Sequence, residues 1–306
     1  MERHEILFET FEKEVLSNFI DSNHINKSYF GGQDRNYTKL NLCSCNRHYK
    51  DSIFYYKKEK KFIHFTSLEK LELILQSNTI RLYNLVNQND MNEFKYSSSL
   101  LEVDEIIADN EKKNSFILSM CEYDMKDDLP MWRLYGNNTK GVGIVIELED
   151  DLNKWSDFHL SEVYYGEQKL FSAYLDKKNK FENRHNFKFY LPLNRFLSFF
   201  KSLDFQIENE IRLLYYFNEN RPLIKAKRDR VITCPDGSEF IEIELGNRIK
   251  KKTDYEKHLY QTSPKPMIRK VIVGPNLEDF EKVKLIKNSS PEIIFEESRL
   301  KGKFRI

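Results

Sequence analysis

The chain contains only four cysteines, scattered along its 306 residues. So few cysteines cannot form the disulfide framework of a small secreted protein, and they indicate a reducing, cytoplasmic location. Nowhere do about 18 apolar residues follow one another, so no membrane-spanning helix and no membrane partner are expected. The N-terminus begins MERHE and lacks an apolar run, which argues against a signal peptide.

An excess of charge of one sign is also missing. The 49 Lys and Arg residues are balanced by 48 Asp and Glu residues, which leaves a formal net charge of +1. No overall field therefore attracts DNA or RNA, and short basic runs such as 248–252 are more typical of a solvated surface. Regular alternation of strands and helices is absent too, and the sequence shows no internal repeat.

What the sequence has in abundance is aromatic residues, with 23 Phe, 17 Tyr and 2 Trp. This content and the chain length are typical of a globular protein with a large core. Predicted strands outnumber helices in the core, which favours an α+β fold. We expect an N-terminal helix and polar loop extension at 1–57, and one domain at 58–306 with a mostly helical insertion at about 150–204.

A compact strand–helix–strand unit is predicted at 62–83. Within it, Thr66-Ser67-Leu68-Glu69 has the pattern of a capping box, in which the Thr66 hydroxyl and the Glu69 carboxylate satisfy free amides at the helix start. Ser77-Asn78 ends the helix, and a second strand follows at 79–83. This unit places His64 on the first strand and Arg81 on the second.

The most informative segment is 205–216, which is rich in Ile, Leu, Tyr and Phe and is predicted to be one strand. At a period of two, Glu208, Glu210 and Arg212 share one face of that strand. Carboxylates at such positions need water, a cation, an arginine or a substrate to satisfy them. The segment therefore indicates a functional site without identifying its chemistry.

Five motifs in a fixed order resemble an uncharacterised prokaryotic family known only as a domain of unknown function. The resemblance covers the chain from about Phe62 to its C-terminus. The motifs are His64-Phe65-Thr66, Asn89-Asp90 with Glu93, Met131-Trp132 with Tyr135 and Gly141-Val142, Glu208-Asn209-Glu210 with Arg212, and Val273-Gly274-Pro275.

The same series is similar to DarT-type ADP-ribosyltransferases, whose sites combine a strand histidine, an aromatic residue and a late strand glutamate. That resemblance implies a split, mixed or antiparallel sheet with peripheral helices, and NAD as a substrate. Glu210 would stabilise the oxocarbenium-like state of the ribose, and Glu208 would orient the acceptor; the two roles are interchangeable at this point.

The resemblance also implies residues that bind NAD, while the macromolecular acceptor stays open as nucleic acid or protein. His64 would donate a hydrogen bond to a ribose hydroxyl, Thr66 would also contact NAD, and Tyr135 or Trp132 would stack on nicotinamide. The planar guanidinium of Arg81 suits paired pyrophosphate oxygens. These roles are typical of a toxin or an antiphage defence effector.

Each of these residues also has a plainer interpretation. His64 is compatible with a satisfied core histidine, Trp132 and Tyr135 with core packing, and Arg81 with a surface ion pair. Asp90 and Glu93, together with the two later glutamates, would alternatively suit a metal-dependent nuclease, although no lysine adjoins the acid pair in the sequence. A non-catalytic interaction module is the third alternative.

A metal site is not predicted at Cys43-Ser44-Cys45 with His48. The paired spacing typical of zinc ligands is missing there, and a fourth ligand is not evident.

Overall fold

The computed structural model describes most of the chain. The described residues are 3–16, 26–32, 35–41, 46–50, 52–87, 91–101, 103–148, 151–166, 169–190, 194–217, 230–246 and 261–303. Within them no helix combines the length and the apolar character that a bilayer crossing requires. Asp90, a candidate of the alternative nuclease site, and the two cysteines Cys43 and Cys45 lie outside the described residues.

The described helices are short and mostly peripheral. They are α1 (Arg3–Phe11), α2 (Leu68–Ser77), α3 (Met91–Leu100), α4 (Glu105–Lys113), α5 (Leu129–Leu134), α6 (Lys169–His185) and α7 (Phe280–Ser289).

The strands dominate the centre of the molecule, and the predicted α+β class is confirmed. They are β1 (Asn26–Gly32), β2 (Arg35–Asn41), β3 (Lys61–Thr66), β4 (Thr79–Asn84), β5 (Ser115–Glu122), β6 (Val142–Leu148), β7 (Phe158–Glu162), β8 (Tyr164–Tyr165), β9 (Lys188–Tyr190), β10 (Phe200–Lys201), β11 (Glu210–Tyr216), β12 (Ile232–Thr233), β13 (Glu239–Glu244), β14 (Pro266–Val273) and β15 (Ile294–Glu297).

Ten of the described strands form one large, mostly antiparallel sheet that forks at β5. One edge of β5 pairs with β11 along its length, and β11 pairs in turn with β7. The other edge pairs with β4 at 116–117 and with β3 at 121–122. From there β4 continues to β13 and β12, whereas β3 continues to β6, β14 and β15.

The two faces of this sheet carry separate cores. Leu213 belongs to a large core that includes Phe62 and Ile144, whereas the next residue, Leu214, belongs to a second core on the other face. A third cluster, around Trp132, lies on the same face as Leu214 but at the opposite end of β5, where Ile63 pairs with Cys121. The face that carries these two clusters also carries Glu210 and Arg212, because alternate strand residues share a face.

The predicted strand–helix–strand unit is confirmed as β3, α2 and β4, but its cap differs from the prediction. The N-cap is Ser67, whose Oγ accepts a hydrogen bond from the Lys70 amide at 3.3 Å. Thr66 is instead the last residue of β3, where strand pairing holds its backbone. Asn78 ends α2 in the left-handed conformation (φ 55°), as Asn tolerates at helix ends.

Within the N-terminal extension, where a polar loop is predicted, β1 and β2 form an antiparallel hairpin. The hairpin gains a third strand because β2 pairs with β9 at 188–190. Such pairing between distant segments leaves no signal in the local sequence. The predicted helical insertion at about 150–204 includes the long helix α6, but this stretch also contributes β7 to the main sheet.

Candidate functional site

The backbone around the acid pair differs from the predicted continuous strand. Leu203–Glu208 forms a 3₁₀ turn, Asn209 adopts the left-handed conformation (φ 42°, ψ 51°), and β11 begins only at Glu210. Asn tolerates this conformation better than most residues do, which allows the chain to turn sharply between the two glutamates. Glu210 and Arg212 therefore share a strand face as predicted, but Glu208 approaches them from the preceding turn.

Four charged side chains form one buried network, here called the buried quartet: Glu208, Glu210, Lys201 and Arg212. Arg212 holds Glu210 through two bonds, Nε to Oε1 at 2.7 Å and Nη2 to Oε2 at 3.0 Å. The Lys201 Nζ lies 2.7 Å from Glu208 Oε2 and 2.8 Å from Glu210 Oε2. None of the four residues is more than 7% exposed, so two buried anions are matched by two buried cations.

The neighbouring cations keep Glu210 ionised. Burial alone would raise the pKa of Glu210, but the charges of Arg212 and Lys201 and their hydrogen bonds lower it to about 2. Glu210 is therefore an anion at every physiological pH. Since both of its oxygens bind cations, it has little capacity left for a ligand.

Tyr135 connects the quartet to the surface. Its hydroxyl donates a short hydrogen bond to Glu208 Oε1, while 45% of the residue remains exposed. Burial and the Glu208 carboxylate raise the pKa of this phenol, so it keeps its proton and stays a donor. Tyr135 and Glu208, two of the predicted site residues, are thus in direct contact.

Backbone contacts fix where the two glutamates lie. The Glu210 amide donates to the Tyr165 hydroxyl at 2.9 Å, and the Cys121 thiol donates to the Glu208 carbonyl at 3.3 Å. Burial and the nearby glutamates raise the pKa of Cys121, which keeps it a thiol. Both β5 and β8 therefore help to hold the start of β11, since Cys121 is the penultimate residue of β5 and Tyr165 belongs to β8.

Exposed apolar residues adjoin the site in the chain. Leu134 precedes Tyr135 and is 60% exposed, and Ile207 precedes Glu208 and is 55% exposed. Leu203, at the start of the 3₁₀ turn, is 58% exposed. Exposed apolar residues thus directly precede both Tyr135 and Glu208 in the chain.

Trp132 has a different environment from Tyr135, although the two are only three residues apart. It is fully buried and packs edge-on against Phe65, with ring centroids 4.9 Å apart. Its Nε1 has no hydrogen-bond partner among the described residues. Trp132 therefore offers no open face to a nicotinamide ring, and its surroundings are those of a core residue.

Glycines near Trp132 bring several of the family-like motifs together. A Cβ on Gly141 would lie 2.2 Å from the Thr66 carbonyl oxygen, and one on Gly274 would lie 2.5 Å from the Gly141 carbonyl oxygen. The Gly274 amide donates to that same Gly141 carbonyl at 2.9 Å. The ends of β3 and β14 and the start of β6 can meet this closely only because these positions lack side chains.

His64 does not join the buried quartet. It pairs with Ile144 and lies on the strand face of Phe62, whereas Ile63 shares the opposite face with Cys121 and Glu210. The imidazole Nδ1 is 2.9 Å from the Ser119 carbonyl oxygen, so a neutral ring with a proton on Nδ1 donates to it. Burial lowers the pKa of His64, which favours that neutral form.

Thr66 and Arg81 are also separate from the quartet. Thr66 is buried on the same face of β3 as His64. Arg81 pairs across the strands with Glu242, with Nε 3.2 Å from Oε1, and its guanidinium lies 4.1 Å from the centre of the Phe240 ring. This geometry matches the surface ion pair considered as the plainer interpretation.

Sequence reasoning missed Lys201, which proves central to the network. One signal for it exists, because Lys201 directly follows the buried aromatic residues Phe199 and Phe200. A lysine in such an apolar segment requires a buried anionic partner. Its proximity to glutamates seven and nine residues later became visible only through the pairing of β10 with β8 and the turn that follows.

The described residues contain no group of three or more His, Cys, Asp or Glu side chains placed to hold a metal ion. In the quartet itself, Lys201 and Arg212 already neutralise both carboxylates. A divalent cation would have to displace at least one of them.

Comparison with known proteins gives one match. No curated protein and no solved structure is significantly similar to the chain. The matching segment runs from Met131 in α5 to Leu213 in β11, so it contains Tyr135 and every member of the buried quartet. These residues, 131–213, match the model of a family described as a protein of unknown function (DUF2971), which confirms over this segment the predicted resemblance to a domain-of-unknown-function family.

Proposed function

We propose that the chain is an NAD-consuming ADP-ribosyltransferase whose reaction takes place at Glu208 and Tyr135. The observation that carries this proposal is the hydrogen bond between the half-exposed Tyr135 hydroxyl and Glu208 Oε1. Glu208 is held from behind by Lys201, and one of its oxygens is directed toward the accessible phenol. A ligand hydroxyl that replaces the phenol would find a positioned, anionic acceptor.

The chemistry of NAD cleavage suits such a carboxylate. The bond between ribose C1 and the nicotinamide nitrogen breaks, and nicotinamide leaves with the bonding electrons as a neutral molecule. Positive charge then develops on the ribose, and a nearby carboxylate stabilises it. The acceptor forms a new bond to C1 and loses a proton. In this proposal Glu208 accepts a hydrogen bond from a ribose hydroxyl and faces the developing cation.

The roles of the two glutamates are thereby exchanged relative to the first expectation. Both oxygens of Glu210 bind Arg212 or Lys201, so Glu210 is better suited to fixing the site than to meeting substrate. The half-exposed ring of Tyr135 suits contact with the flat nicotinamide ring.

The fork in the main sheet gives further support, since a split sheet is what the resemblance to ADP-ribosyltransferases implies. Contacts of NAD with His64, Thr66 and Arg81 stay predictions, although these residues do not contact the buried quartet, and the buried Trp132 has no open face for stacking. The reaction centre proposed here does not depend on them.

The test is release of nicotinamide from NAD, with DNA, RNA and lysate protein offered in parallel as acceptors. We expect release by the unaltered protein and a loss of about 10²-fold or more in Glu208→Gln, which keeps the shape but removes the charge. Glu296→Gln, which alters a surface ion pair with Lys270 on the edge strand β15, is the matched control and should keep full activity. No release with any acceptor, or full activity of Glu208→Gln, would refute the proposal.

Transfer of a label from the adenylate part of NAD would identify the acceptor class. Label in nucleic acid or in protein would distinguish the two acceptors that the sequence leaves open. If the protein acts as a toxin or defence effector, expression should arrest growth, and Glu208→Gln should relieve the arrest.

One observation revives a second candidate, the metal-dependent nuclease. Its main weakness was the lack of a lysine beside the acid pair, yet Lys201 contacts both carboxylates. The balanced charges of the quartet still disfavour a bound Mg²⁺. Cleavage of nucleic acid that chelation abolishes, without any consumption of NAD, would favour this candidate over the transferase.

A further inference from the structure

Lys201 occupies the space between the two carboxylates of the acid pair. It belongs to β10, which pairs with β8, and it is 7% exposed. Its Nζ lies 2.7 Å from Glu208 Oε2 and 2.8 Å from Glu210 Oε2. The Lys201 ammonium group therefore bridges the carboxylates of Glu208 and Glu210.

Two carboxylates in such proximity repel each other unless a cation separates them. Arg212 holds Glu210 through two hydrogen bonds. Lys201 contacts both carboxylates and therefore compensates the charge of Glu208 as well as that of Glu210. Without it the acid pair would take up a proton at a higher pH, as carboxylate pairs that share a site do.

We propose that Lys201 is a positioning residue that supplies the cation between the two carboxylates and holds Glu208 Oε1 toward the substrate. This assignment rests on the proposed function, in which Glu208 acts as the reacting carboxylate. The Lys201 Nζ binds Glu208 Oε2, whereas the half-exposed phenol of Tyr135 binds Oε1. Lys201 therefore acts through the orientation of Glu208.

The other groups around Glu208 cannot replace this cation. Burial raises the pKa values of Tyr135 on the α5 side, Cys121 on β5 and Tyr165 on β8, so all three are neutral at physiological pH. They donate or accept hydrogen bonds but contribute no charge. The ionic compensation of the acid pair therefore comes from Lys201 and from Arg212 on β11.

The test compares Lys201→Gln with Lys201→Arg. Glutamine keeps a hydrogen-bond donor but removes the charge, whereas arginine restores the charge. We expect the acidic limb of the pH profile for nicotinamide release to move up by about one pH unit or more in Lys201→Gln, and to return toward its original position in Lys201→Arg. A profile of Lys201→Gln that superimposes on the original would overturn the proposal.

Lys178→Gln is the control, since Lys178 forms a partly buried pair with Glu182 in α6 and should leave the profile unchanged. If Lys201→Gln does not fold, the double variant Lys201→Gln with Glu208→Gln decides the matter. Recovered folding supports the pairing of Lys201 with Glu208, and failure to recover contradicts it.

A second measurement separates this inference from the proposed function. Carbon-13 NMR of glutamate carboxylates, with Glu208→Gln used for assignment, follows the protonation of the acid pair without any turnover. If the unaltered protein never releases nicotinamide, the proposed function fails. Even in that case, the inference about Lys201 predicts that the acid pair takes up its first proton at a higher pH in Lys201→Gln than in the unaltered protein. A titration of Lys201→Gln that matches that of the unaltered protein would refute the inference.

Discussion

Arg212 grips Glu210, two residues before it on the same strand, through two hydrogen bonds of 2.7 and 3.0 Å. Arg212 is 1% exposed, so this ion pair lies entirely inside the protein. A buried pair of this kind adds little net stability, but the loss of one partner leaves an uncompensated charge in the interior.

Replacing Arg212 should therefore destabilise the fold strongly. We expect Arg212→Met to lower the free energy of unfolding by about 3–5 kcal/mol, because Glu210 keeps only Lys201 as a cationic partner. Urea unfolding followed by circular dichroism measures this loss. The matched control is Arg81→Met, which removes the half-exposed pair with Glu242 and should cost no more than about 1 kcal/mol.

The same pair predicts how stability depends on pH. The pKa of Glu210 is lowered from 4.5 to about 2, so its stabilising contribution is complete above pH 4.5 and is lost as the pH falls toward 2. The free energy of unfolding should thus decline across that window. Glu210→Gln should show a weaker decline; an equally steep decline would mean that other groups dominate acid unfolding.

The close backbone contacts of the glycines near Trp132 predict a second position at which substitution lowers stability. Gly141→Ala would place a Cβ 2.2 Å from the Thr66 carbonyl oxygen, which is backbone and cannot move aside. We expect a loss of at least about 1–3 kcal/mol in thermal or urea unfolding. Gly246→Ala is the control, because its Cβ would meet the Met267 side chain, which can rotate away; equal losses at both sites would contradict this explanation.

The N-cap of α2 predicts different losses of stability for substitutions at Ser67 and at Thr66. Ser67→Ala should lower stability by about 1 kcal/mol, because its Oγ satisfies the Lys70 amide. Thr66→Val should cost less than this, since the Thr66 hydroxyl does not cap the helix. Urea unfolding measures both losses. A larger loss for Thr66→Val than for Ser67→Ala would favour the capping box predicted from the sequence.

Local patterns in the sequence predicted much of the β3–α2–β4 unit, including the end of the helix at Asn78, because caps and apolar spacing are local signals. They failed at 205–216, where the left-handed Asn209 breaks an otherwise strand-like composition. The β1–β2 hairpin was missed for a related reason, since its third strand lies about 150 residues further along the chain.

The candidate site was predictable only in part. The glutamates could be identified because acidic residues in an apolar segment are unusual, and Tyr135 because of the family resemblance. Lys201 could not be assigned to them, because its position depends on strand pairing. The resemblance implies one site for His64 and Glu210, whereas the two residues lie on opposite faces of the sheet. Because successive strand residues point to opposite faces, a shift of the strand register by one residue reverses the face on which a side chain lies.

The fork at β5 has a consequence for biosynthesis. This strand pairs with β3 and β4, which precede it in the chain, and with β11, which is complete only at Tyr216. As the chain leaves the ribosome, one edge of Ser115–Glu122 thus stays open while about a hundred further residues are translated. Such delayed closure slows folding and exposes a strand edge to other chains. Nascent copies should therefore depend on chaperones until residue 216 has emerged.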